Sequence, residues 1–114
     1  MSRLSPGVPA GELDAAWEPL PAEQVVSGAP ATRYVALDST DGRVVGVWEH
    51  SPGVSTDVEA DEVFVVLAGA GTLSFDEPPL PPVTLAPGVI VRLTEGMRTT
   101  WTVTETLRKV YIAP

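Results

Sequence analysis

The chain contains no cysteine. Disulfides, zinc–thiolate sites, iron–sulfur clusters and a thiol nucleophile are therefore excluded. It contains no asparagine, so there is no N-glycosylation sequon. Its one histidine is His50, so a site that needs two histidines cannot be built within one chain. Positive charge is scarce as well. Seven Lys and Arg stand against 15 Asp and Glu, a net charge of -8 and a pI near 4.4. Such a chain repels a phosphate backbone and an anionic bilayer, so neither nucleic acid nor a membrane is an expected partner. The first twenty residues hold no long apolar run and carry early acids. That predicts neither a signal peptide nor a membrane span, and a soluble cytoplasmic protein is the expectation.

What is present fits one small domain. The 114 residues are 44% hydrophobic and 19% charged, a globular composition. Ten glycines and twelve prolines argue for many turns and against a helical bundle. Residues 1–66 hold 11 acids and three bases, whereas residues 67–114 hold four of each. The first half thus carries the whole net charge.

Residues 1–31 are rich in Pro, Ala and Gly and show no sustained period. They read as an arm packed on a single domain spanning 32–114, with a short helical turn from Glu12 to Trp17. Trp17 and Leu20 are its expected anchors. From Thr32 the pattern is β. Thr32–Asp38 and Arg43–His50 flank Asp41-Gly42, a dipeptide that tolerates positive φ at both central turn positions. Pro52-Gly53 is a second turn. Glu62–Leu67 is a short β-branched run, broken at Gly69–Gly71 before Thr72–Phe75. Pro78–Pro82 reads as a stiff loop. Val83–Leu85, Val89–Leu93, Thr99–Thr104 and Leu107–Ile112 complete about eight short strands. With no helix of normal length between them, the spacing predicts an all-β sandwich or small barrel.

Three local patterns carry little chemistry. Gly69-Ala70-Gly71 precedes a strand, not a helix, so it reads as a turn and not as a phosphate loop. The PxxP spacing in Pro78–Pro82 is flanked by Asp76 and Glu77 without a basic residue, so a hairpin loop is expected. His50 reads as a surface or capping residue at a strand end. The acidic stretch Asp57–Glu62 is more informative. Period-2 alternation places Asp57, Glu59 and Asp61 on one face, and Glu62 on the other with Phe64 and Val66. A Glu62 carboxyl facing a barrel interior would be raised by desolvation and suited to acid/base work. A carboxylate satisfied by an Arg or by backbone amides is the competing reading.

Several residues together resemble the cupin superfamily. Gly53, Glu62 and Gly69 match the tail of a first cupin motif, and Pro87-Gly88, Thr94 and Gly96 match a second. Gly46–Glu49, Asp61-Glu62, Thr100-Trp101 and Arg108–Tyr111 more closely resemble the ureidoglycine aminohydrolase-type and ethanolamine-utilisation-type small cupins. The resemblance spans roughly residues 32–112. It implies an antiparallel double-stranded β-helix, an RmlC-like jelly-roll barrel with an open mouth, commonly a homodimer. Metal-binding cupins place two His before the Glu and a third in the second motif. Here those places hold Thr56, Val58 and Thr99, so of four usual ligands only Glu62 remains. No metal and no other cofactor is expected.

The favoured expectation is a metal-free cupin that binds a small polar molecule. Glu62 is its candidate general acid/base. Tyr34, Trp48, Glu49, Phe64, Arg98, Thr99 and Trp101 are candidate substrate-binding residues at the barrel mouth. Two other readings stay open. One is a metalloenzyme with ligands drawn from Glu49, His50, Asp57 and Glu62. The other is a non-catalytic assembly or regulatory cupin whose acidic half faces a partner.

Overall fold

A computed structural model describes residues 4, 6–12 and 15–114. Nine strands form the fold: β1 (Glu18–Pro19), β2 (Val25–Ser27), β3 (Ala31–Asp38), β4 (Val44–His50), β5 (Gly53–Val58), β6 (Glu62–Glu77), β7 (Leu80–Leu85), β8 (Ile90–Leu93) and β9 (Arg98–Ala113). All pairings are antiparallel. Among the described residues helix is confined to three one-turn 3-10 segments, and none is long and apolar enough to cross a membrane.

Two 16-residue strands organise the barrel. The first half of β9 pairs with β5 and with the second half of β6. Its second half pairs with β4 and with the first half of β6. Each long strand therefore belongs to two sheets, β1-β3-β4-β9-β6-β8 on one side and β2-β5-β9-β6-β7 on the other. The passage between sheets is made by bulges between Val66 and Gly71, opposite Val103–Arg108. Gly69 has φ +98, and a Cβ there would strike the Thr106 carbonyl oxygen. The glycines expected to end a strand instead let one strand bend through. Likewise Thr99–Thr104 and Leu107–Ile112 are two halves of β9, and β7 starts inside the proline loop, at Leu80. The Asp41-Gly42 turn is as expected, with φ of 60 and 71.

The arm contributes structure of its own. β1 extends the first sheet by pairing with β3, and β2 extends the second by pairing with β5. Trp17 lies against Arg33, whose guanidinium carbon is 4.3 Å from the ring centroid. Part of the helical turn expected at 12–17 lies outside the described residues. Where Ala10–Glu12 is described, it forms a 3-10 turn.

The interior is an apolar plug of Phe64, Val66, Leu73, Leu85, Val91, Leu93, Trp101, Val103 and Leu107. It fills one end of the barrel. The other end, beyond Phe64 and Trp101, is open.

Candidate functional site

The open end is a cavity of about 200 Å³. Trp48 and Trp101 wall it, with ring centroids 5.3 Å apart and planes tilted by 53°. Tyr34 and Tyr111 stand at its rim, and Asp57, Glu59, Glu62 and Lys109 bring charge to it. Strand register explains the grouping. Tyr34 pairs with Trp48, and Trp48 pairs with Lys109, so all three side chains emerge on the inner face. Tyr111 follows Lys109 at period 2 and packs across Gly46, where a Cβ would overlap its ring.

Lys109 is the centre of the site. It is 4% exposed. Its ammonium donates to Glu62 Oε2 at 2.6 Å. The same nitrogen lies 4.3 Å from the centroids of Trp48 and Phe64 and 4.8 Å from Trp101. Three aromatic faces and one carboxylate thus surround it, a setting that favours a cation. Burial outweighs them and holds the Lys109 pKa below its ordinary value, against the opposing pull of Glu62, Glu59 and Asp57.

The neighbouring acids are shifted the other way. Burial raises Glu59, although Thr99 Oγ1 and Trp101 Nε1 donate to its Oε2 at 2.6 and 3.1 Å. Burial also raises Asp57. Tyr111 is raised by burial, with Tyr34 and Glu62 adding to it.

Glu62 lies where the alternation placed it, on the inner face with Phe64 and Val66. Asp57 does not lie on the opposite face from it, as expected, but in the same cavity. The reason is local. β5 ends at Val58 and β6 starts at Glu62, so the pleat does not run through residues 59–61. Glu59 N donates to Met97 O and Glu59 O accepts from Gly96 N, which turns the Glu59 side chain inward. Asp61 faces outward and accepts from Glu95 N at 2.8 Å.

The other candidates divide. Tyr34, Trp48 and Trp101 join Glu62 in the cavity, whereas Phe64 does not line it and instead packs its ring against Lys109. Thr99 is buried and holds Glu59 in place. Arg98 lies outside the cavity, in an adjoining groove lined also by Thr56 and Asp76, and pairs with Glu77 at 3.8 Å. Glu49 is not at the mouth. It follows Trp48, so its side chain takes the outer face, between Arg33 at 2.5 Å and Arg108 at 3.1 Å. His50 is neither a surface residue nor a cap. It is 1% exposed; Nδ1–H donates to the Ser51 carbonyl at 2.6 Å, and Nε2 accepts from Ser55 Oγ at 2.8 Å. Burial lowers its pKa, consistent with a neutral ring.

Lys109 is not among the residues expected from the sequence, although the sequence carries a signal for it. It is the chain's one lysine among seven basic residues. It also shares parity with Leu107 and Tyr111, both larger and less polar than an ammonium.

The EutQ-like cupin domain matches residues 37–111. The chain belongs to that family. No curated protein matches it. Among solved structures, the EutQ protein of Clostridium difficile is similar with a TM-score of 0.61 and 16% identity, covering 74% of this chain and 68% of that one. A protein of unknown function from Rhizobium leguminosarum bv. viciae gives 0.63 and 25%, covering 72% and 79%. One from Pseudomonas syringae pv. tomato gives 0.68 and 23%, covering 88% of this chain and 45% of that one, so this chain spans less than half its length. These likenesses carry the EutQ-like cupin fold, a jelly-roll.

A cupin site implies a metal ion, but this residue set does not fit one. Glu62, the one retained ligand type, is bound to an ammonium. Both nitrogens of His50 are engaged, and Glu49 is on the far side of its sheet. Among the described residues no three His, Cys, Asp or Glu side chains are grouped to hold a metal ion.

Proposed function

We propose that this EutQ-like cupin binds a small polar molecule in the barrel mouth and acts on it by metal-free acid/base chemistry. The observation that carries this reading is the 2.6 Å Glu62–Lys109 pair facing an aromatic-walled cavity. A carboxylate in hydrogen-bond contact with a buried amine has a proton partner within reach, the geometry that acid/base work needs. Glu62 is the general acid/base, and Lys109 supplies or holds its proton. Trp48 and Trp101 give flat apolar walls, and Tyr34 and Tyr111 offer hydroxyls at the rim. Asp57, Glu59 and Glu62 outnumber the one cation in the cavity, so a ligand with hydroxyl or amine donors fits better than an anion.

The experiment is a thermal-shift series with small polyols, amides, amino alcohols, aldehydes and ketones, on the wild type and on Glu62→Gln. At least one compound raises the wild-type melting temperature, and its affinity falls about tenfold or more in the variant, as a lost charged hydrogen bond predicts. Equal binding by both proteins, or no binding across the series, overturns the reading. So does loss of binding on treatment with a chelator.

A further inference from the structure

Six of the seven basic residues are arginine. Arg43, Arg92 and Arg98 lie at the surface. The single lysine is inside the barrel. A guanidinium would serve a purely structural ion pair and keeps its charge in any protein setting. A primary amine differs in being able to lose its proton and attack a carbonyl carbon.

The surroundings of Lys109 suit that difference. Its nitrogen has one conventional acceptor, Glu62 Oε2. Its other neighbours are the faces of Trp48, Phe64 and Trp101, which offer no lone pair, and the cavity.

We propose that Lys109 is a nucleophilic amine that condenses with a small aldehyde or ketone in the barrel cavity, with Glu62 relaying the protons. This rests on the reading of the cavity as a small-molecule site and names its substrate class. Glu62 first takes a proton from the ammonium, leaving a free amine and a carboxylic acid. The amine lone pair forms the C–N bond, the carbonyl π pair moves to oxygen, and that oxygen takes the proton from Glu62. The nitrogen returns a proton to Glu62. The hydroxyl then leaves as water with that proton, while the nitrogen lone pair forms C=N. One ammonium and one carbonyl compound give one protonated imine and one water, and Glu62 ends as it began. The product is again a cation beside Glu62 and among three aromatic faces, so the arrangement that holds the ammonium also holds the imine. Burial of Lys109 favours the neutral amine that starts the sequence. At about 200 Å³ the cavity is smaller than those that take drug-sized ligands, which limits the carbonyl compound to a few carbon atoms.

The test uses propionaldehyde with sodium cyanoborohydride on the full chain. Hydride addition to the imine carbon leaves a stable propyl group, located by peptide mass mapping. The lysine and the N-terminal amine are the only primary amines, so the readout is unambiguous. Lys109 becomes propylated, and faster than in the urea-unfolded chain. Lys109→Met loses that label and keeps the N-terminal one. Glu62→Gln, checked for folding by its melting curve, labels about 100-fold more slowly, the usual scale of a lost proton relay. A folded protein whose Lys109 stays unlabelled, or labels no faster than when unfolded, overturns the proposal. If propionaldehyde then still raises the melting temperature in a Glu62-dependent way, the imine fails and the binding reading stands. If it does neither, both fail.

Discussion

Arg108 and Lys109 are consecutive on β9, and both are buried, but they face opposite sides of the sheet and live in different chemistry. Arg108 points outward, under the N-terminal arm. Its Nε donates to Glu49 Oε2 at 3.2 Å and its Nη1 to the Ala10 carbonyl at 2.5 Å. Arg33 reaches the same Glu49 and the Ala15 carbonyl. Two guanidiniums, one carboxylate and two backbone carbonyls close on one another, with the arm as a lid. Lys109 points inward, to one carboxylate, three aromatic faces and an open cavity. Both settings must offset the cost of taking charge out of water. The outer cluster does so with hydrogen bonds that fix the arm, so its charges are spent on one another and on backbone carbonyls. The inner pair leaves its charge exposed to whatever enters the barrel. A saturated polar cluster specifies structure, and an incompletely saturated one beside a cavity is available for chemistry.

The largest expected effect breaks the outer cluster. Glu49→Gln removes the countercharge between Arg33 and Arg108, whose side chains are 19% and 9% exposed. Losing one member of a buried ion network costs about 3–5 kcal/mol. Urea denaturation reads this as a lower midpoint, and the arm becomes more sensitive to protease. Ligand binding by the protein that remains folded is unchanged, because Glu49 lies across the sheet from the cavity. A loss below about 1 kcal/mol would show that the outer cluster is an ordinary surface pair.

The inner pair responds differently. Lys109→Met replaces the buried ammonium with an apolar chain of similar length. Glu62, whose side chain is 19% exposed, can then be hydrated through the cavity. Removing one member of a buried pair strands the other charge, but hydration of Glu62 lowers that cost, so stability at pH 7 falls by less than in Glu49→Gln, by about 1–2 kcal/mol. Its pH dependence changes more clearly. Burial holds the folded Lys109 pKa below the ordinary 10.5. Between the depressed value and 10.5, the unfolded chain binds the extra proton. Raising pH through that window therefore stabilises the wild type, up to the ordinary lysine range. Urea melts across alkaline pH give a rising limb in the wild type and a flatter one in Lys109→Met. Equal slopes would show that Lys109 titrates normally in the fold.

The same contrast shows how far the sequence could be read. Turn chemistry at Asp41-Gly42 and the alternation around Phe64 follow from local backbone preferences, so the hairpin and the shared face of Glu62 and Phe64 are legible, whereas both faces of that run are apolar and only the fold tells which is interior. Parity alone separates Glu49 from Trp48, because successive strand side chains point to opposite faces, so its outer position is legible against the expected place at the mouth. Glu59 and Asp57 were harder. Their convergence with Glu62 depends on a break at 59–61 fixed by hydrogen bonds to Met97 and Gly96, some 37 residues away in the chain. The union of four expected strand pieces into β6 and β9 was hidden for a related reason. Glycines that usually end a strand are needed here for close approach between two strands, and that partner is visible only in the folded chain. Lys109 is the hardest to read, because a basic residue in a strand ordinarily marks the solvent face.

The smallest effect belongs to a third cation on β9. Arg98 begins the strand, one residue before Thr99, and parity turns it away from the cavity. Its side chain is 63% exposed and its partner Glu77 is 76% exposed, at 3.8 Å. Pairs of this kind gain little Coulomb energy in water and lose side-chain entropy when they form. Arg98→Ala is expected to change stability by no more than about 0.5 kcal/mol, with ligand affinity and Lys109 labelling at wild-type levels. Arg98, Arg108 and Lys109 are three cations on one strand, and the same urea and labelling measurements separate them. If Arg98→Ala weakened binding as Glu62→Gln does, the groove beside Thr56 and Asp76 would be part of the ligand site, and the boundary drawn at Trp101 would have to move outward.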